Sequence, residues 1–178
     1  MKKILLLAAW IFCSITSIAQ KYATEKSTIT FISKAAIEDI AATNAKAVSI
    51  FNVTTGEIVY AIPMKDFEFE KSLMKDHFNE KYIESEKFPK ATFQGKITGY
   101  KERIKGEQVA NAKGKLTIHG VTNEIDTVGM VNISDGKIFM KSTFIVKLKD
   151  YNIKIPQLLW KNIAEQVEVK IEFTYKPL

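Results

Sequence analysis

The chain has 178 residues, 46% of them hydrophobic and 26% charged, with 8 Gly, 4 Pro and a single Cys. That composition excludes a collagen-like repeat, a disordered chain and a disulfide-stapled miniature scaffold, and the length suits one domain with one core. The formal net charge of +6 is modest, and two of those charges sit at the extreme N-terminus on Lys2 and Lys3.

In chain order, residues 1–19 read as an export signal. Lys2 and Lys3 form a positive start, Ile4 to Phe12 an apolar run too short to cross a bilayer, and Ser17-Ile18-Ala19 the small-residue pattern of a cut after Ala19. Bulky Phe12 before Cys13 argues against a lipid-modified cysteine, so Cys13 leaves with the signal and residues 20–178 form a single cysteine-free domain. A disulfide, a thiolate metal site and a cysteine nucleophile are thereby excluded from that domain. The expected product is exported, either periplasmic or secreted.

From there the recurring signal is alternation with period two, the mark of half-buried strands. Ile29 and Phe31 begin it. Ala35 to Thr43, alanine-rich with Glu38 and Asp39, predicts a short helix. Thr54-Thr55-Gly56 joins a run ending at Val53 to the series Ile58, Tyr60, Ile62, after which Pro63 marks an edge and Phe67 and Phe69 resume on shifted parity. Lys71 to Ile83 carries Met74, Phe78 and Tyr82 at spacing four, with Leu73 beside them, and predicts a helix with one apolar face. Further alternating series are Ala91-Phe93-Gly95-Ile97, Leu116-Ile118, Ile138 to Leu148 and Val167 to Tyr175. His119-Gly120-Val121-Thr122-Asn123 links two of these, and Asp135-Gly136 reads as a two-residue hairpin. Trp160 and Leu158-Leu159, after Pro156, read as a loop that caps the fold or docks a partner. Many short strands joined by tight turns predict an all-β protein: an antiparallel barrel of about eight strands, with the Lys71–Ile83 helix over one mouth.

Motifs of familiar catalytic centres are missing. There is no Gly-x-Ser-x-Gly elbow, no phosphate-cradling glycine loop and no dinucleotide fingerprint, so no cofactor is expected. His77 and His119 are the only imidazoles, and their spacing does not suggest a metal site. Asp76, Glu80, Glu84 and Glu86 lie among lysines and read as a solvated face rather than an acid/base pair. A lone arginine, Arg103, and evenly mixed charge argue against nucleic acid and leave at most a weak attraction to anionic membrane surfaces.

The informative feature is the interior face. A barrel of eight strands either fills with side chains or holds one small ligand, and residues 20–178 are generous for a filled one. Phe67, Phe69, Phe78, Phe93, Leu116, Ile118 and Phe144 are the expected wall of an apolar tunnel, with Tyr82 near its mouth and His77, Asn79 and Lys81 beside it. The expected function is non-enzymatic binding of a long-chain lipid, isoprenoid or fatty-acyl, for carriage or sequestration. Two other readings stay open: a filled-core interaction module, and an enzyme acting on a small apolar substrate through an inward-facing histidine. The sequence does not set the oligomeric state and leaves a dimer open.

Three segments carry a family resemblance. Asp76-His77-Phe78-Asn79-Glu80-Lys81-Tyr82, followed by Phe88-Pro89-Lys90-Ala91-Thr92-Phe93, resembles a helix leading into a (Tyr/Phe)-Pro-x-(Ala/Ile)-x-Phe strand. Gly114 to Thr122 is similar to a Gly-x-Leu-Thr-(Ile/Leu)-x-Gly-Val-Thr hairpin, and Asp150-Tyr151-Asn152-Ile153 to an Asp-(Tyr/Phe)-Gly-(Ile/Leu) turn with Asn152 in the glycine position. These are features of the YceI-like domain, and the resemblance spans roughly Tyr22 to Tyr175. Lysines, including Lys75, stand where that family often has arginine. The resemblance implies an exported, lipocalin-like barrel that binds polyisoprenoids or other lipids.

Overall fold

The computed structural model describes residues 20–35, 39–155 and 164–178. The expected export signal and the Pro156–Trp160 loop lie outside the described residues, as does the centre of the expected Ala35–Thr43 helix.

The described chain is a closed antiparallel barrel. Its strands are β1 (Lys21–Ser33), β2 (Ile40–Asn44), β3 (Val48–Asn52), β4 (Glu57–Pro63), β5 (Glu68–Phe69), β6 (Lys90–Thr98), β7 (Gly106–Ile118), β8 (Val121–Ser134), β9 (Lys137–Lys147) and β10 (Gln166–Pro177). Pairing runs β10-β9-β8-β7-β6-β4-β3-β1, and a β1–β10 ladder closes the ring into eight staves. β2 and β3 share one side of β1: residues 21–23 of β1 pair with β3, residues 29–33 with β2. Where β2 breaks from β3, the fully buried Asn44 takes over from the ladder. Its Nδ2 donates to the Pro63 carbonyl at 2.7 Å and its Oδ1 accepts the Lys46 N–H at 2.7 Å.

Turn chemistry follows the sequence. Asp135-Gly136 and His119-Gly120 are two-residue hairpins with positive φ at both residues, 51° and 74° in each, the primed geometry that matches strand twist. Asn152 holds φ 55° and ψ 24°, the left-handed conformation that asparagine tolerates.

The segment read as an alanine-rich helix ends instead in strand β2. Ala42 stands in register between Phe31 of β1 and Phe69 of β5. It is buried, and its small side chain leaves room for those two rings to meet at 5.7 Å. Tertiary packing sets the conformation here, over local propensity. The lid helix is real but shorter than expected: α1 (Ser72–His77), continued by one wide turn over Phe78–Tyr82.

One end of the barrel is packed with aromatic rings. Phe51, Ile138 and Tyr175 are fully buried there, and rings pack in sequence from Tyr100 through Phe51, Tyr175, Phe173 and Tyr60 to Phe93, with centroids 5.1–6.0 Å apart. Among the described residues no helix is long and apolar enough to cross a membrane.

Candidate functional site

Beneath the lid the packing gives way to a cavity of about 330 Å³. Its wall alternates inward from the strands, as period two requires: Ile29, Phe31 and Ser33 from β1, Val167 and Val169 from β10, Ile118 from β7. The lid closes it with Leu73, Met74, His77, Phe78 and Tyr82. Among the described lining residues, only Ser33, His77 and Tyr82 carry a polar side chain, and none is a carboxylate, lysine or arginine. Ser33 Oγ already accepts the Ala164 N–H at 3.1 Å. Burial holds the Tyr82 phenol above its ordinary range, so its hydroxyl stays a neutral donor.

Four phenylalanine rings join lid to wall. Phe31 contacts Phe67 at 5.3 Å, Phe69 at 5.7 Å and Phe78 at 5.4 Å, and Phe78 contacts Phe67 at 5.5 Å and Phe69 at 5.1 Å. Phe31 is the centre of this cluster and stands outside the expected set. Its parity with Ile29 was the one signal in the sequence that could have placed it inside.

The expected lining residues fall into two groups. Phe67, Phe69, Phe78, Tyr82 and Ile118 line the cavity under the lid. Phe93 and Phe144 line a separate, smaller pocket of about 70 Å³ against β7 and β8, while Leu116 is buried in the wall and lines neither. The interior is thus a chamber with a side pocket, divided by side chains, rather than one uninterrupted tunnel.

The histidines part company. His77 faces the cavity. His119 lies on the outside of the barrel rim, its ring 4.5 Å from that of Phe88, with Nε2 2.8 Å from Glu84 Oε2 and Nδ1 3.1 Å from the Tyr151 carbonyl. This imidazole–carboxylate pair staples three rim loops together, and neither partner lines either pocket. Among the described residues no cluster of three or more His, Cys, Asp or Glu side chains is placed to hold a metal ion. What the site offers chemically is an apolar volume with three polar side chains among its described lining residues, Ser33, His77 and Tyr82.

Comparison with known proteins places this architecture. Residues 21–175 match the model of the YceI-like domain. A polyisoprenoid-binding domain from Saccharophagus degradans, implicated in plant cell wall breakdown, superposes with a TM-score of 0.75 at 17% identity, over 88% of this chain and 98% of its own. BcnA of Burkholderia cenocepacia superposes with a TM-score of 0.71 at 18% identity, over 83% and 95%. The Campylobacter jejuni YCEI protein gives 0.56 at 19% identity, over 72% and 78%. No curated protein sequence matches the chain. At these identities the superpositions speak for the fold, and with the family model spanning nearly all of residues 20–178, the chain belongs to the YceI-like family.

Proposed function

We propose that this protein is a non-enzymatic lipid-binding barrel, exported to the periplasm or beyond, that holds an isoprenoid or fatty-acyl chain for carriage or sequestration. The observation that carries the reading is the cavity of about 330 Å³ under the lid, apolar on nearly every side and with no carboxylate, lysine or arginine among its described lining residues. Burial of a methylene is worth about 0.8 kcal/mol, so a chain that fills such a space gains affinity in proportion to its length. The solved relative described as polyisoprenoid-binding supports the ligand class.

The chain end is held by few groups. Tyr82 donates a neutral O–H and His77 offers a ring nitrogen, which suits an alcohol or a partly solvated headgroup at the lid. With no lysine or arginine among the described lining residues, selection rests on the chain more than on the head. An enzymatic reading would need a titratable pair facing the chamber, and the imidazole–carboxylate pair present, His119 with Glu84, stands outside it.

The test is native mass spectrometry of the protein expressed with its own leader and purified without detergent, followed by extraction of anything bound. A stoichiometric chain-like lipid, or uptake of added farnesol at one per chain, is the expected result. A bare protein that takes up neither isoprenoid alcohols nor fatty acids overturns the reading in favour of an interaction module.

A further inference from the structure

The lid is tied to the barrel at its trailing end by one imidazole. We infer that this tie is a proton-dependent latch, firm while the His119 ring carries both protons and loosened when it loses one. A bound chain then exchanges more slowly in mild acid than in mild alkali, a consequence that rests on the lipid-binding reading above.

Glu84 stands two residues beyond Tyr82, where the lid ends. Ile83 between them lines the lid cavity and donates its N–H to the Phe78 carbonyl at 2.9 Å, so no slack separates the lid from the turn at Glu84. The Ser85 N–H donates to the Asn79 carbonyl at 2.9 Å, and the N–H groups of Lys87 and Phe88 donate to the Glu84 carbonyl at 2.8 and 2.9 Å. Glu84 has φ 48° and His119 φ 51°. Residues other than glycine hold that left-handed backbone only where their surroundings fix it. Here the two meet side chain to side chain, with Nε2 2.8 Å from Oε2. The tip of the β7–β8 hairpin is also pressed onto the same turn. A Cβ on Gly120 would stand 2.5 Å from Phe88 Cε1, and the Phe88 ring lies 4.5 Å from the imidazole, centroid to centroid.

The two ring nitrogens together call for two protons. Nδ1 lies 3.1 Å from the Tyr151 carbonyl and Nε2 2.8 Å from the Glu84 carboxylate. Both partners only accept, and a neutral imidazole has a single N–H. The imidazolium therefore makes both bonds, the one to Glu84 charge-assisted. When one proton leaves to solvent, one nitrogen turns a lone pair toward an oxygen. Either the lid loses its bond outright, or the bond to Glu84 survives without the charge and the hairpin lets go of Tyr151. The His119 side chain is only 11% exposed, so water does not simply replace the lost partner. Imidazole makes this change between about pH 5 and 8.

The remaining charged groups around the ring belong to types that hold one charge state through that range. The turn that carries Glu84 contributes Glu86, ion-paired with Lys65, and Lys87, whose Nζ stands 5.0 Å from the centroid of the Phe88 ring. The Leu148–Tyr151 turn contributes Lys149 and Asp150 beside the accepting carbonyl. Burial holds the Tyr151 phenol above its ordinary range, so it stays neutral. On the strands of the hairpin itself the nearest charges are Lys115 and Glu124, which face each other across β7 and β8. His77, on the lid, is the one other imidazole of the chain, and its substitution separates the two.

The experiment measures hydrogen-exchange protection factors of amides 74–88 at pH 5.5 and 8.0, on the protein expressed with its own leader. Release of deuterated farnesol into excess unlabelled farnesol is read alongside by native mass spectrometry. Lid protection is expected to fall about fivefold from pH 5.5 to 8.0 and farnesol release to quicken by a similar factor, while amides of β7 and β10 keep their protection. His119→Asn suits the left-handed turn and should leave the lid at the lower level at both pH values. Glu84→Gln should leave it at the higher level at both, because a side-chain amide accepts from the imidazolium and donates to the neutral ring. His77→Ala should keep the fall. A lid equally protected at both pH values overturns the latch, as does a fall that survives in His119→Asn or vanishes in His77→Ala. Lid protection that falls with no change in farnesol release overturns its control of the ligand. Farnesol that binds at neither pH overturns the lipid reading, and the exchange data then decide the latch alone. If His119→Asn does not fold, Glu84→Gln carries the test, and retention of the fall in that variant overturns the latch.

Discussion

Phe78 of the lid stacks on Phe31 of β1, with ring centroids 5.4 Å apart and planes 21° from parallel. The lid is held further by the contacts of Phe78 with Phe67 and Phe69 and by the 2.9 Å ion pair of Lys75 with Glu68 of β5. α1 is six residues long and has no acidic residue in its first turn. A helix of that length does not persist in water on its own propensity, so its presence over the mouth depends on what it packs against. Phe78→Ala is expected to leave the barrel folded and to loosen the lid selectively. Hydrogen exchange should accelerate for amides 72–82 while those of β7 and β10 stay protected, and a bound chain should dissociate faster. Uniformly faster exchange through the whole barrel would show that Phe78 is a core residue and not a hinge of the lid.

The absence of fixed charge among the described residues lining the lid cavity predicts an asymmetry between two substitutions. Ile118 lines the cavity at half burial, so Ile118→Asp places a carboxylate against the bound chain without burying it in the ring-packed end. Farnesol affinity should fall by more than tenfold, or about 1.4 kcal/mol. His77→Ala removes a polar group that touches only the chain's end, and the affinity should change by less than about threefold. Isothermal titration of both variants decides it. The reverse order would mean that a headgroup at His77 carries the recognition.

Tyr175 and Ser49 tie the floor of the barrel. Ser49 Oγ donates its one proton to the Val59 carbonyl at 2.8 Å, so in the 2.8 Å contact with Tyr175 the phenol is the donor. Burial pushes the phenols of Tyr60 and Tyr175 well above their ordinary value and moves Tyr100 to about 12, with Glu102 adding to the last. A phenol whose pKa is raised in the folded state is ionised first in the unfolded chain. Its contribution is intact below the unfolded value of about 10 and is lost as pH climbs through the folded one. Stability should therefore be flat in this respect to about pH 10 and fall steeply above it. Tyr175→Phe should cost about 1 kcal/mol at neutral pH and make the alkaline fall shallower, as read by urea unfolding at a series of pH values. An unchanged alkaline slope would remove Tyr175 from the account.

Much of this was legible in the sequence because strands with one wet face write their geometry as alternation. The series Val167–Tyr175 and Ile138–Leu148 and the Asp135-Gly136 turn each specify one local arrangement, and the ladders follow from them. Local patterns failed where a residue answers to distant partners. The alanines near Ala42 score as helix formers, yet Ala42 is small because Phe31 and Phe69 converge on it from two strands. The division of the interior was equally hidden. Phe93 and Phe67 both point inward, and nothing in their own neighbourhoods says that one meets Tyr60 in the packed half and the other faces the open chamber.

Gly114 illustrates a motif residue whose reason is visible only in the fold. It pairs with Gly95 on β6, and the two glycines lie face to face under the ring of Phe93. A Cβ at Gly114 would stand 2.4 Å from the Gln94 carbonyl oxygen, 2.5 Å from Gly95 Cα and 2.8 Å from Phe93 Cζ. The two closest atoms are backbone, so β6 and β7 themselves must part to admit it, and repacking the ring does not suffice. Gly114→Ala is expected to destabilise the barrel by about 1–3 kcal/mol, the ordinary cost of overpacking, read from the urea midpoint at constant slope. Trimming the ring should not restore it: Gly114→Ala combined with Phe93→Leu is expected to be less stable than Phe93→Leu alone by a similar margin. Recovery in the double variant would show that the glycine serves the aromatic ring and not the approach of the two strands.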